Sequence, residues 1–216
     1  MSRLSLRRTV QLLLGLVAYG VGVGLMVIAG VGVSPWDVLA QGIARITTLD
    51  FGLVTILLSG VVLLLWIPIR QRPGIGTLAN AIMVGAVAQL VLWFVPAPEE
   101  LWVRALVFAG GLAIVAVATG LYIGAELGPG PRDGLMTGLV RRTGWPVWVV
   151  RTGIEITVVA IGWALGGNVG VGTLAFALLI GPMVHVTMPW FSLRARIDAE
   201  RAARASGLAA LAPEER

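Results

Sequence analysis

The fold is decided by the stretch "GLMVIAGVGVSPWDVLAQGI", residues 24–43, because it returns as "GLYIGAELGPGPRDGLMTGL", residues 120–139, at a shift of 96. Eight of the twenty positions are identical, among them Gly32 and Gly128, Pro35 and Pro131, and Asp37 and Asp133. Roughly two matches would arise by chance in so biased a composition. The same shift pairs "GIGTLA" (74–79) with "GVGTLA" (170–175), and Gly85 with Gly181. Distant matches at one offset mark a duplication, with repeats over 8–96 and 104–192 joined by a linker at 97–103.

Around this repeat the chain is apolar. Of its 216 residues 57% are hydrophobic and 12% charged, and the mean hydropathy is +0.92. Soluble domains carry about 25% charged residues, so the reading is an integral, all-α membrane protein in contact with the lipid bilayer. Every basic residue is Arg. These arginines sit mainly in short connections and at the ends, which speaks against nucleic-acid binding and for a charged membrane face. There is no Cys and one His, so neither a thiol site nor a multi-histidine metal site can exist, and no metal or other cofactor is expected.

Apolar windows long enough to cross about 30 Å of hydrocarbon occur at about 9–31, 50–69, 74–95, 102–126, 147–165 and 171–191, giving six expected transmembrane helices. The remaining stretches 33–48 and 128–144 read as helices too short to cross, re-entrant or interfacial, one after the first span of each repeat. Three spans per repeat is an odd number, so the second repeat is expected upside down relative to the first, a recurring transporter architecture. Arg3, Arg7, Arg8, Arg70, Arg72, Arg132, Arg141, Arg142, Arg194 and Arg196 fall on one side of this topology, and Arg45 and Arg104 on the other. Both termini, 1–8 and the polar tail 193–216, are then cytoplasmic, with the chain in a bacterial inner membrane. The 23-residue first window exceeds a signal-peptide core, and its internal counterpart cannot be a cleaved signal.

Each short stretch opens with a helix start: Ser34, Pro35 and Asp37 as N-cap, N1 and N3, and Gly130, Pro131 and Asp133 in the same places. A carboxylate there caps free amides and complements the helix dipole. It also marks a path for protons or cations when it lies inside a membrane. Differences between the repeats add polar groups to the second: Glu126 for Gly30, Arg132 for Trp36, Arg151 for Thr55, Glu155 for Ser59 and His185 for Gln89. Arg151 and Glu155 are four apart and can pair on one helix face, either locking helices together or placing Glu155 to carry protons. His185 is a packing residue or a proton relay. The frequent glycines permit close helix packing, and Trp66, Trp93, Trp102, Trp145 and Trp190 suit an aromatic belt.

The duplicated Gly-x-x-Pro-x-Asp element (Gly32 to Asp37, Gly128 to Asp133) and the Gly-x-Gly-Thr elements at 74–77 and 170–173 resemble the YczE/YyaS/YitT family of bacterial membrane proteins, nearest to its YczE branch. The resemblance spans about residues 8–192. It implies an inner-membrane protein and supplies neither a substrate nor a catalytic residue.

Three functions fit the pattern. The first is a small secondary transporter or exporter of an unknown small molecule or ion. The second is a channel or facilitator with paired half-helices, and the third a non-transporting scaffold or assembly factor. A homo-oligomer is compatible with each. An enzyme is not expected, since no nucleophile–base pair or metal cluster is legible.

Overall fold

A computed structural model describes residues 3–191, and the tail expected at 193–216 lies outside the described residues. The described chain forms eight helices: α1 (Arg3–Ala29), α2 (Pro35–Thr47), α3 (Phe51–Leu65), α4 (Ile75–Phe94), α5 (Leu101–Gly124), α6 (Pro131–Thr143), α7 (Val147–Ala164) and α8 (Val171–Phe191). Helices α2, α3 and α4 begin 96 residues before α6, α7 and α8 respectively. The backbone specials keep the same register. Among the described residues, those with positive φ form four pairs at that distance: Gly30 and Glu126, Gly32 and Gly128, Thr48 and Gly144, Arg70 and Gly166. Left-handed backbone is inexpensive only for glycine. Thr48, Arg70 and Glu126 therefore adopt it because the duplicated chain path demands it.

Helices α1 and α5 form the centre of the core, with Leu16, Val23 and Met26 buried beside Leu112, Val115 and Ala116. They run antiparallel. Arg104, near the start of α5, donates from Nε to Ala29 O (2.7 Å) and from Nη2 to Gly30 O (3.0 Å), capping the end of α1. Its counterpart Arg8, near the start of α1, reaches Glu126 just past the end of α5 (3.4 Å). Gly22 and Gly111 let the two backbones meet, since a Cβ on Gly22 would stand 2.7 Å from Gly111 O. Helix α4 packs on α1 and α8 on α5.

The two sequence motifs lock each half to the other. Gly76 N–H donates to Leu127 O (2.8 Å), and Gly172 N–H donates to Val31 O (2.8 Å). The Thr77 hydroxyl donates to Pro129 O (2.7 Å), while at the matching place Val33 N–H donates to the Thr173 hydroxyl (3.2 Å). The reversal follows from residue type, because proline has no N–H to give. Each Gly-x-Gly-Thr helix start thus satisfies the irregular backbone that precedes the other half's short helix, as apolar surroundings require.

Five helices (α1, α4, α5, α7 and α8) are long and apolar enough to cross a membrane, and a sixth crossing arises if α2 and α3, bent by 116° across residues 48–50, form one broken span. The window at 50–69 falls short of the expected span. Helix α3 holds 15 residues, about 22 Å at 1.5 Å per residue, before turns at 66–70. The short helices α2 and α6 hold 13 residues each, consistent with elements too short to cross.

Candidate functional site

The starts of α2 and α6 come together in the interior, and the site is built around them. At the N-cap of α2, Ser34 has extended backbone and its hydroxyl accepts from Asp37 N–H (3.4 Å). The same hydroxyl donates to Asp37 Oδ2 (2.5 Å). Asp37 Oδ1 accepts from Arg132 Nη2 of α6 (3.2 Å), an ion pair between the halves. Asp37 is 1% exposed, so a neighbouring cation is what makes a carboxylate tolerable there. Arg132 also lies over the Trp36 ring, 5.4 Å from its centroid. Positions 36 and 132 are counterparts in the repeat, so here two equivalent positions touch.

The matching acid behaves differently. Gly130 gives α6 no side-chain cap, and Asp133 Oδ2 accepts from the Tyr122 hydroxyl of α5 (2.5 Å). The Tyr122 ring meets Tyr19 of α1 edge to face at 5.9 Å. On α7, Arg151 Nε donates to Glu155 Oε1 (2.9 Å); the two side chains are 43% and 26% exposed.

A cavity of about 280 Å³ opens beside these groups. Ser34, Pro35 and Trp36 of α2, Arg132, Asp133 and Met136 of α6, Arg151 and Glu155 of α7, and Phe176, Ile180 and Val184 of α8 line it, with Tyr19 and Tyr122 behind. A second cavity of about 40 Å³ has room for a water or two. Its walls include Thr55, Ser59, Asn80 and Val84, the counterparts at 96 residues of Arg151, Glu155, Phe176 and Ile180. Gly130, Pro131 and Arg132 stand in it where Ser34, Pro35 and Trp36 stand in the larger one. The cavities are thus two versions of one site, one wide and one nearly shut. Tyr19, Tyr122, Arg132 and Asp133 line both and form the partition between them.

Of the residues singled out from sequence, Ser34, Pro35, Arg132, Asp133, Arg151 and Glu155 line the larger cavity. Pro131 lines the smaller, and its carbonyl accepts from Trp66 Nε1 (3.0 Å). Trp66 is 1% exposed and packs with Val62 and Leu135, so it lies inside the protein where the sequence suits it to an interfacial anchor. Asp37 lies behind Ser34, and neither cavity is lined by it. Glu126 is at the surface beside Arg8. His185 is exposed and lines neither cavity, although α8 runs unbroken through Pro182 before it. Among the described residues no three of His, Asp and Glu gather as a metal site would need.

Sequence reading missed Tyr19 and Tyr122. A signal was present: they are the chain's two tyrosines, and Val115 and Met26 stand at their counterpart positions.

The profile of a family described as "Family of unknown function (DUF6198)" matches residues 6–189. An "Uncharacterized protein" of Haemophilus influenzae is 40% identical over 179 residues, 82% of each chain. The "Uncharacterized membrane protein YczE" of Bacillus subtilis is 31% identical over 177 residues, 81% of this chain and 82% of that one. YyaS of the same organism is 26% identical over 185 residues, 82% of this chain and 90% of its own. The resemblance carried by the duplicated motifs is borne out for the YczE and YyaS branches. No solved structure matches the chain.

Proposed function

The chain belongs to this family of unknown function, DUF6198, a family of membrane proteins, and on that premise we propose that it is a small secondary transporter. Its two repeats, each crossing three times with α2 and α3 counted as one broken span, lie inverted in a bacterial inner membrane, with both termini cytoplasmic, and it takes a substrate between the starts of α2 and α6. The antiparallel course of α1 and α5 supports inversion, because equivalent helices related by an in-plane two-fold axis must run in opposite directions.

The observation that carries the reading is the unequal pair of cavities. A scaffold needs no cavity, and an open channel needs both ends wide at once. A carrier in one of its end states presents one wide vestibule and one closed counterpart. Exchange of the two conformations between the halves would move access to the opposite face, past the partition of Tyr19, Tyr122, Arg132 and Asp133. Glu155 is then the acid best placed to couple transport to an ion, since it lines the wide cavity and is held by one arginine. Asp37 serves as the anchor that holds Arg132 at the partition. No role as an enzyme is part of this reading.

The natural chain lacks cysteine, so single cysteines at Ile154 in the wide cavity and Ser59 in the narrow one can be labelled by an impermeant thiol reagent from each face in turn. Transport predicts access from opposite faces, with any condition that raises one lowering the other. Simultaneous access to both sites would make the protein a facilitator, and silence at both would leave a scaffold.

A further inference from the structure

We infer that the wide cavity accepts a small organic anion with an apolar body, its acidic group held by Arg132 and Arg151; this deepens the transporter reading by taking the cavity as the substrate site. From sequence alone the acids argue for a cation and the arginines for an anion. The geometry separates them by how many sites each group keeps open.

The acids have partners. Asp37 uses one oxygen on Ser34 and the other on Arg132, and it is buried away from the cavity. Asp133 accepts from Tyr122, and Glu155 from Arg151. Asp133 and Glu155 each keep one oxygen outside these bonds, so a cation would find two carboxylate oxygens at the cavity, one on each acid. The guanidiniums are engaged to the same degree but keep more sites open. Each carries five N–H donors; Arg132 gives one to Asp37 and Arg151 one to Glu155. The remaining N–H groups lie on side chains that line the cavity. Their planar forks suit bidentate binding of a carboxylate or phosphate.

The rest of the lining sets the body of the ligand. Ile154 of α7 and Phe176, Ile180 and Val184 of α8 add apolar surface to the lining beside the charged groups. At about 280 Å³ the volume is at the small end of small-molecule sites, roughly 300–1,000 Å³. Glu155 is then the resident competitor for Arg151, which the incoming anion displaces.

The test uses the full chain in lipid nanodiscs, with thermal unfolding read against three six-carbon probes: hexanoate, hexylammonium and hexan-1-ol. A ligand that binds only the folded state raises Tm, by a stabilisation that grows with the logarithm of one plus the ratio of free ligand concentration to Kd. Hexanoate should stabilise, the other two should not, and Arg151→Gln should remove the response. Glu155→Gln should strengthen hexanoate binding severalfold by freeing Arg151, a gain that damaged folding cannot imitate. Equal or better stabilisation by hexylammonium, no response to any probe, or a response unchanged in Arg151→Gln would each overturn the inference. Cysteine labelling needs no ligand, so opposed access without hexanoate binding removes only the anion. Hexanoate binding without opposed access removes transport and leaves the site.

Discussion

Helices α3 and α4 in the first half and α7 and α8 in the second are counterparts, yet one pair is closed and the other open. In the first pair a Cβ on Gly85 would stand 2.5 Å from Gly52 O. Gln89 clasps the contact, accepting from Gly52 N–H (2.8 Å) and donating to Asp50 Oδ1 (3.3 Å). In the second pair the same positions hold Trp148, His185 and Pro146, and the helices scarcely touch. Gly181, the counterpart of Gly85, has nothing within 4 Å of its Cβ position. The wide cavity borders this gap.

The opening is therefore written into side chains. A Cβ at position 52 would stand 2.5 Å from the Gln89 Cβ, so an indole at 148 cannot close on α8 as glycine closes on α4. On the proposed carrier reading, these side chains would favour the end state with the wide cavity on the α7–α8 side. That asymmetry can be attacked one pair of positions at a time.

The largest effect is expected at the two helix-start acids. Asp37→Ala leaves Arg132 without its buried partner and should cost about 3–5 kcal/mol. Asp133→Ala loses a charged hydrogen bond beside a cavity and should cost about 1.5–3 kcal/mol. Thermal unfolding in one detergent compares them, and equal costs would mean that Asp37 is no more of an anchor than its counterpart.

Next come the interlocking motifs. Gly76→Ala puts a Cβ 2.9 Å from Leu127 O, and Gly172→Ala puts one 2.9 Å from Gly32 O. Each should cost about 1–3 kcal/mol by overpacking. Gly60→Ala and Gly110→Ala, which meet nothing within 4 Å, should be neutral or gain up to about 1 kcal/mol of helix propensity. If all four behave alike, the motifs do not lock the halves.

Trp148→Gly and Gly52→Trp exchange the residues that separate the open pair from the closed one. The first should slow labelling of a cysteine at Ile154 and the second should speed labelling at Ser59. About tenfold is expected in each for a shift near 1.4 kcal/mol. Labelling rates that ignore both exchanges would move the cause of the asymmetry elsewhere.

The smallest effect is at Thr48, an exposed residue at φ 58 whose counterpart is Gly144. Thr48→Gly should stabilise by about 1 kcal/mol by relieving left-handed strain. A loss of stability would mean that the Thr48 hydroxyl bond to Thr47 O (2.7 Å) outweighs the strain.

Much of this was legible in the linear chain. The shift of 96 foretold equivalent helices, and the Ser34-Pro35 and Gly130-Pro131 pairs foretold where the short ones begin, because proline at N1 and a cap before it are local rules. The polar substitutions in the second repeat also pointed to Arg132, Arg151 and Glu155. Three features were not legible. The Arg132–Asp37 pair joins positions 95 residues apart across the repeats. The Tyr19–Tyr122 contact joins residues that are not counterparts, and the length of α3 depends on turns that an apolar composition hides.

What the sequence by itself determined is the membrane environment, the duplication, the helix starts and the accumulation of charge in one repeat, since hydropathy, capping and internal similarity act over short range or by direct comparison. Only the tertiary structure decided which acid is an anchor and which faces a cavity, that Thr77 and Thr173 serve the opposite half, and that one helix pair is shut while its counterpart stands open. Those outcomes depend on which backbones can approach within a Cβ of each other, and that distance is set by partners from the other half of the chain.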